Sequence, residues 1–209
     1  MIGNNNSNIS SSYIGWIDLF GWGTSDYNGK NPYMTSTDYF DYGDGCNDIA
    51  GTNYDWGVYN AISNGGNQAG LWRTLTRDEW YYLINTRTNA SSKKDVATVN
   101  DVTGLILLPD NWTLPEGLTF TSGANGDFAQ NTYSTADWAK MEANGAVFLP
   151  AAGYRSGTYV VDVGTGGYYW SSSYRNSSAC YVYFGSLGVG AYNVSNRYIG
   201  LSVRVVQDL

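Results

Sequence analysis

Between Gly166 and Val206 the chain is cut into three short apolar runs, Tyr168 to Ser172, Cys180 to Phe184 and Ile199 to Val206. Polar tracts rich in Ser, Asn and Gly separate them, at Ser173 to Ser178 and at Gly185 to Asn196. β-Branched and aromatic runs bounded in this way read as short strands joined by loops. In Ile199-Gly-Leu201-Ser-Val203-Arg-Val205 the alternation is strict. One face is therefore expected in the core, with Ser202 and Arg204 turned away from it. In Cys180 to Phe184 the same period puts Val182 and Phe184 on one face and Tyr181 and Tyr183 on the other.

Composition narrows the class. At 209 residues one domain over residues 1–209 is expected, burying about 70% of its extended-chain surface. The chain holds 8 Trp, 19 Tyr and 26 Gly but only 14% charged residues, a balance that favours a loop-rich fold pinned by aromatic rings. Net charge is −7 and the isoelectric point is near 4.3. Phosphate backbones need clustered cations, so nucleic acid is not expected as a partner, nor is an anionic membrane surface. No His is present, which removes the commonest general base and zinc ligand. No run is long enough to cross a bilayer, and the first residues have neither the basic nor the apolar region of a signal peptide.

In chain order, residues 1 to 12 are expected to be poorly ordered or bound at an edge. Trp16, Ile17, Leu19, Phe20 and Trp22 read as an apolar knot in the core. Thr24 to Gly57 reads as a long loop, in which Asp38, Asp41, Asp44 and Asp48 have the oxygen chemistry of a calcium cage without its spacing. Turn-forming acids are the plainer reading, and no metal is assigned. Tyr54 to Ile62 is expected as a short helix. A firmer one is expected over Arg77 to Arg87, because Thr76 and Glu79 form a capping box and Trp80, Leu83 and Ile84 share a face. Ala90 to Asn100 reads as polar, with Lys93-Lys94 at a loop tip. Leu105 to Leu108, Leu118 to Phe120 and Val147 to Pro150 read as strands, and Thr135 to Asn144 as a second helix capped by Ser134 or Thr135 and stopped by Gly145. Residues 151 to 163 lead through a hairpin into the terminal segment. Cys46 and Cys180 leave a disulfide or two free thiols open.

From Ser171 to Ser202 there is no Lys, Glu, Gln, Met or Trp. Every residue type present there can be written by changing the two adenines of an Asn codon, and the five missing types cannot. The pattern Tyr169-Trp170-Ser171-Ser172-Ser173, then Tyr181-Val182-Tyr183-Phe184, then Arg197 and Gly200-Leu201-Ser202-Val203-Arg204-Val205-Val206, resembles the C-terminal part of C-type-lectin-fold proteins of the formylglycine-generating-enzyme type. More narrowly it is similar to the variable proteins of diversity-generating retroelements and to related surface domains of gut Bacteroidetes. Trp16 to Gly23 and Leu71 to Trp80 also look like that group. The resemblance implies an α+β chain of the C-type lectin fold, with two main helices, a small twisted and mostly antiparallel sheet, and long irregular loops.

It also implies a ligand-binding display protein with 166–206 as its variable segment, exported to a cell surface or virion and meeting a surface protein or glycan of a host or neighbouring cell. Tyr, Ser, Asn and Gly are the residues paratopes favour, since Tyr gives contact area at little entropic cost. The expected contact residues are Tyr174, Arg175, Asn176, Ser178, Tyr181, Tyr183, Tyr192, Asn193, Asn196 and Tyr198. The alternatives are a fixed glycan-binding adhesin or a non-diversified surface domain. An oxidase of the formylglycine-generating type needs a C-terminal cysteine pair, and only Cys180 lies in that half, so no enzymatic activity and no cofactor are expected.

Overall fold

The computed structural model describes residues 19 to 208 apart from 33, 124, 125 and 158, and strand outweighs helix, 32% against 17%. In chain order the elements are α1 (Trp56–Tyr59), β1 (Arg73–Thr74), α2 (Arg77–Tyr81), β2 (Lys94–Val99), β3 (Val102–Leu107), β4 (Thr132–Tyr133), α3 (Thr135–Ala143), β5 (Val147–Pro150), β6 (Tyr154–Ser156), β7 (Tyr159–Val161), β8 (Gly166–Arg175), β9 (Ser178–Gly185), β10 (Gly188–Asn196) and β11 (Val205–Val206). Trp16, Ile17 and the N-terminal residues before them lie outside the described residues.

This corrects the expectation of an α+β chain built on two main helices. The protein is mostly β, with few and short helices. The capping box on α2 is present, with the Thr76 side chain accepting from the Glu79 amide and Glu79 accepting from the Thr76 amide. The α-helix nevertheless ends after Tyr81 and widens into a π turn over Tyr82–Thr86. α3 is capped by Ser134 and ends at Ala143. Three stretches expected to be loops are strand instead: residues 94 to 99, 173 to 175 and 188 to 196. In 173 to 175 and 188 to 196 cross-strand pairing outweighs the loop preference of the Ser, Asn and Gly residues, and in 94 to 99 it uses Val96, Thr98 and Val99, which favour strand. Conversely, residues 118 to 120 form no strand.

Two sheets enclose the main core. The first has the order β4-β2-β3-β5, with β2, β3 and β5 antiparallel and β4 parallel to β2. Its strands are buried on both faces, which explains the unbroken apolar run of β3. Val96, Leu105 and Leu107 meet Trp80 and Ile84, whereas Ala97, Val99 and Ile106 meet Met141 of α3. The second sheet is the C-terminal ribbon β10-β9-β8, which closes the main core with Tyr169, Val182, Phe184 and Ala191. A third cluster, Trp22, Ile49, Trp170, Ala179 and Leu201, holds the long loop region against the ribbon's other face. The expected strand from 199 to 206 is divided: Leu201 and Ser202 make isolated bridges to Phe20 and Tyr169, and only β11 pairs in register, with β1.

Two arginines with no exposed surface tie loops to this frame through carbonyl oxygens. Arg155 donates to Leu19, Pro32, Met34 and Gly157. Arg197 donates to Tyr42 at 2.8 Å, Gly45 at 2.5 Å and Ser177 at 3.2 Å. Its guanidinium also lies 5.5–5.6 Å from the ring centres of Trp22, Tyr39 and Tyr174. Burial pushes both guanidinium groups below their usual range. These charge-assisted bonds offset part of the cost of burying the charges, although Arg197 Nη2 has no hydrogen-bond partner among the described residues.

Candidate functional site: the tyrosine face of the terminal ribbon

Strands β8 and β9 are joined by Asn176 and Ser177, whose φ values of 46° and 66° are both positive. That is the condition of the type I′ hairpin turn, whose twist matches that of the flanking strands. The register then pairs Tyr168 with Tyr183 and Trp170 with Tyr181, while β10 sets Gly190 opposite Tyr183 and Asn193 opposite Tyr181. Since facing residues share a side of the sheet, Tyr168, Trp170, Tyr181, Tyr183 and Asn193 project together, away from Val182 and Phe184.

The tyrosines form one continuous cluster. The ring of Tyr168 lies 5.9 Å from that of Tyr181, 5.2 Å from that of Tyr183 and 5.1 Å from that of Tyr154, contributed by β6. These tilted and edge-on distances suit aromatic pairing. Two paired glycines, Gly166 and Gly185, make room for the rings to lie along the backbone. A Cβ at Gly166 would sit 3.0 Å from the Tyr168 ring, and one at Gly185 would collide with the Tyr183 hydroxyl. The Tyr168 hydroxyl donates to Asp162 at 2.6 Å. Burial, with that hydrogen bond, raises its pKa well above the usual tyrosine range, so it stays a neutral donor. Burial also raises Tyr181, with a smaller contribution from Tyr183. Beyond Tyr154 the β6–β7 register places Tyr159 and Val161 on the same side of their hairpin, and these are 74% and 38% exposed.

The expected contact residues divide between two sides of the ribbon. Tyr181, Tyr183 and Asn193 belong to the tyrosine face, where each is half-buried. Tyr174 shares that side but is tied into the frame: its amide donates to Asp48 at 2.5 Å, its hydroxyl accepts from the Ser177 amide at 2.7 Å, and its ring covers Arg197. Arg175, Ser178 and Asn196 form a cross-strand row of the opposite parity. Tyr192 lies on that other side as well, stacked on Tyr81 at 4.3 Å with Arg77 over its ring. Asn176 is exposed at the turn, and Tyr198 accepts a hydrogen bond from Asn196. The two residues that sequence reasoning missed are Tyr154 and Tyr168. The second was within reach, since Tyr168 and Trp170 alternate as Tyr181 and Tyr183 do.

Little else nearby carries chemistry. Cys46 is exposed and Cys180 buried, and both are free thiols. Burial pushes the Cys180 thiol up, which suppresses its thiolate. Among the described residues no three acids, cysteines or histidines gather as a metal site would require. Asp38 caps a helical turn by accepting from the Phe40 amide, and Asp48 is held by Tyr174. Among the described residues no helix is long and apolar enough to cross a membrane. No family model, curated protein or solved structure matches the chain.

Proposed function

We propose that the protein is a binding module that recognises a macromolecular target, in the first place a protein, through the tyrosine face of its C-terminal ribbon. The observation that carries this reading is the unbroken line of Tyr154, Tyr168, Tyr181 and Tyr183, extended by exposed Tyr159 and Val161. A contiguous aromatic surface with polar handles is costly to leave in water and typical of recognition surfaces. The resemblance to retroelement variable proteins supplies the second half of the proposal: outward positions of 171–202 are diversified while the inward ones are held constant. Export to a cell surface or virion belongs to the same reading.

A library randomised at Tyr168, Tyr181, Tyr183, Asn193 and Ser195, displayed on phage and selected against an unrelated folded protein, tests the surface. Folded, specific binders should emerge, and they should lose binding when the residue selected at position 183 is replaced by Ser. Loss of folding across the library, or binders insensitive to these positions, refutes it. Sequencing the flanking DNA for a reverse transcriptase and an adenine-rich near-copy of the 3′ end tests diversification separately.

A further inference from the structure

The π turn and the loops beyond it border an open cleft of about 450 Å³ lined by Tyr82, Asn89, Ser92, Lys93, Asp110 and Trp112, remote in sequence from the ribbon. Its size falls in the range of small-molecule sites. Its base is prebuilt. Buried Arg87 donates to the carbonyls of Leu83 at 2.8 Å, Leu108 at 2.7 Å and Lys93 at 3.1 Å, so one guanidinium clamps both walls. Lys93 is committed too, its ammonium donating to the Asp110 carbonyl at 2.9 Å and to the Asp110 carboxylate at 3.1 Å.

What remains open is uncharged or acceptor chemistry. The Asp110 side chain is 58% exposed, and its second oxygen lies 3.5 Å from the Tyr82 hydroxyl. The hydrogen bond from Lys93 holds this carboxyl below its ordinary range, so it accepts at neutral pH. The exposed Asn89 side chain makes no cap hydrogen bond on its own turn, and Trp112 packs against the second core cluster while staying partly exposed. Both cations are spent on backbone and on Asp110, which leaves nothing to bind a phosphate. Aromatic rings beside a carboxylate and an exposed amide match a ligand with apolar C–H faces and a rim of hydroxyls.

The geometry points to a binding site for a neutral sugar ring in this cleft, with Tyr82 and Trp112 against its C–H face and Asp110 and Asn89 on its hydroxyls. The site is independent of the tyrosine face.

Amide-resolved NMR titrations of the full chain, made in a bacterial host so that the Asn89 sequon carries no glycan, provide the test. The probes are maltotriose, cellotriose, chitotriose and mannotriose, with inorganic phosphate as control. At least one trisaccharide should give saturable shifts confined to residues 82–93 and 108–112. Tyr82→Ala should weaken it about tenfold, Asp110→Asn should weaken it measurably, and Tyr183→Ser should leave it unchanged. Tyr82 is half-exposed, so its truncation leaves folding intact, which the unperturbed remainder of the spectrum checks. No saturable shift with any trisaccharide up to roughly 50 mM, well beyond the millimolar range of weak contacts, overturns the inference. So does binding that survives Tyr82→Ala, or a response to phosphate alone.

Discussion

The two faces of the β8–β9–β10 ribbon use the same backbone and almost the same residue types to opposite ends. On the inner face Tyr169, Val182, Phe184 and Ala191 are all but fully buried in the main core, and the absent side chain of Gly167 leaves the space that the Phe184 ring occupies. On the outer face Gly166 and Gly185 again make room for aromatic rings, but those rings, Tyr168 and Tyr183, are only partly buried. Glycine next to an aromatic ring is thus a packing device inside and a platform device outside. The contrast teaches that a position's tolerance to substitution follows its parity along the strand as well as its residue type, except at Trp170 and Ala179, whose outer side is buried in the cluster with Trp22.

The sharpest way to break that comparison is to truncate neighbours of opposite parity. Phe184→Ala should cost about 3–5 kcal/mol in urea unfolding, whereas Tyr183→Ser should cost about 1 kcal/mol or less. Equal losses would mean that the outer face is framework too. Next in size is Arg197→Ala, which strands the carbonyls of Tyr42, Gly45 and Ser177. A loss of about 2–4 kcal/mol is expected, with hydrogen exchange accelerating first in residues 42 to 46. An unchanged exchange pattern there would show that Arg197 does not hold the loop against the ribbon.

A smaller effect belongs to α2, which covers the inner face. Arg73 forms a bidentate pair with Glu79 at 2.6 and 2.9 Å and, with the Thr76 cap, lowers the Glu79 pKa below its ordinary 4.5. Because the folded-state value is the lower one, the stability this provides is present above pH 4.5 and is lost as pH falls through the depressed value. The pair is partly solvated, so Glu79→Gln should remove only about 0.5–1 kcal/mol at pH 7 and flatten the acid limb of the stability curve. A steepened limb would contradict the assignment. Smallest of all, Ser177→Gly should stabilise the hairpin by about 0.5 kcal/mol, since φ of 66° strains a side chain but not glycine. Differential scanning calorimetry should show a slightly raised Tm, and a lowered one would place the Ser177 side chain in the frame.

Local signals were legible where one side chain meets one nearby backbone group. The Thr76–Glu79 capping box and the Ser134 cap are present as expected, and the alternation of Val182 and Phe184 against Tyr181 and Tyr183 reports their burial correctly. Pairing was not legible. The stretch 188 to 196 reads as loop because its Gly, Asn and Ser residues have little strand preference of their own, and it becomes β10 only because β9 offers a partner edge. Tyr192 and Asn193 looked like neighbours on one patch. A strand sends them to opposite sides, and Tyr192 ends against Tyr81 and Arg77.

Residue order alone determined which side chains are apolar and where α2 and α3 start, because these depend on interactions spanning a few residues. Tertiary structure decided that the protein is mostly β, that Arg155 and Arg197 lie fully buried among loop carbonyls, and that Tyr154 completes a surface begun by Tyr168, Tyr181 and Tyr183. The physical reason is that strand pairing and the burial of charge draw their free energy from partners far away in the chain, and no local pattern encodes which partners those will be.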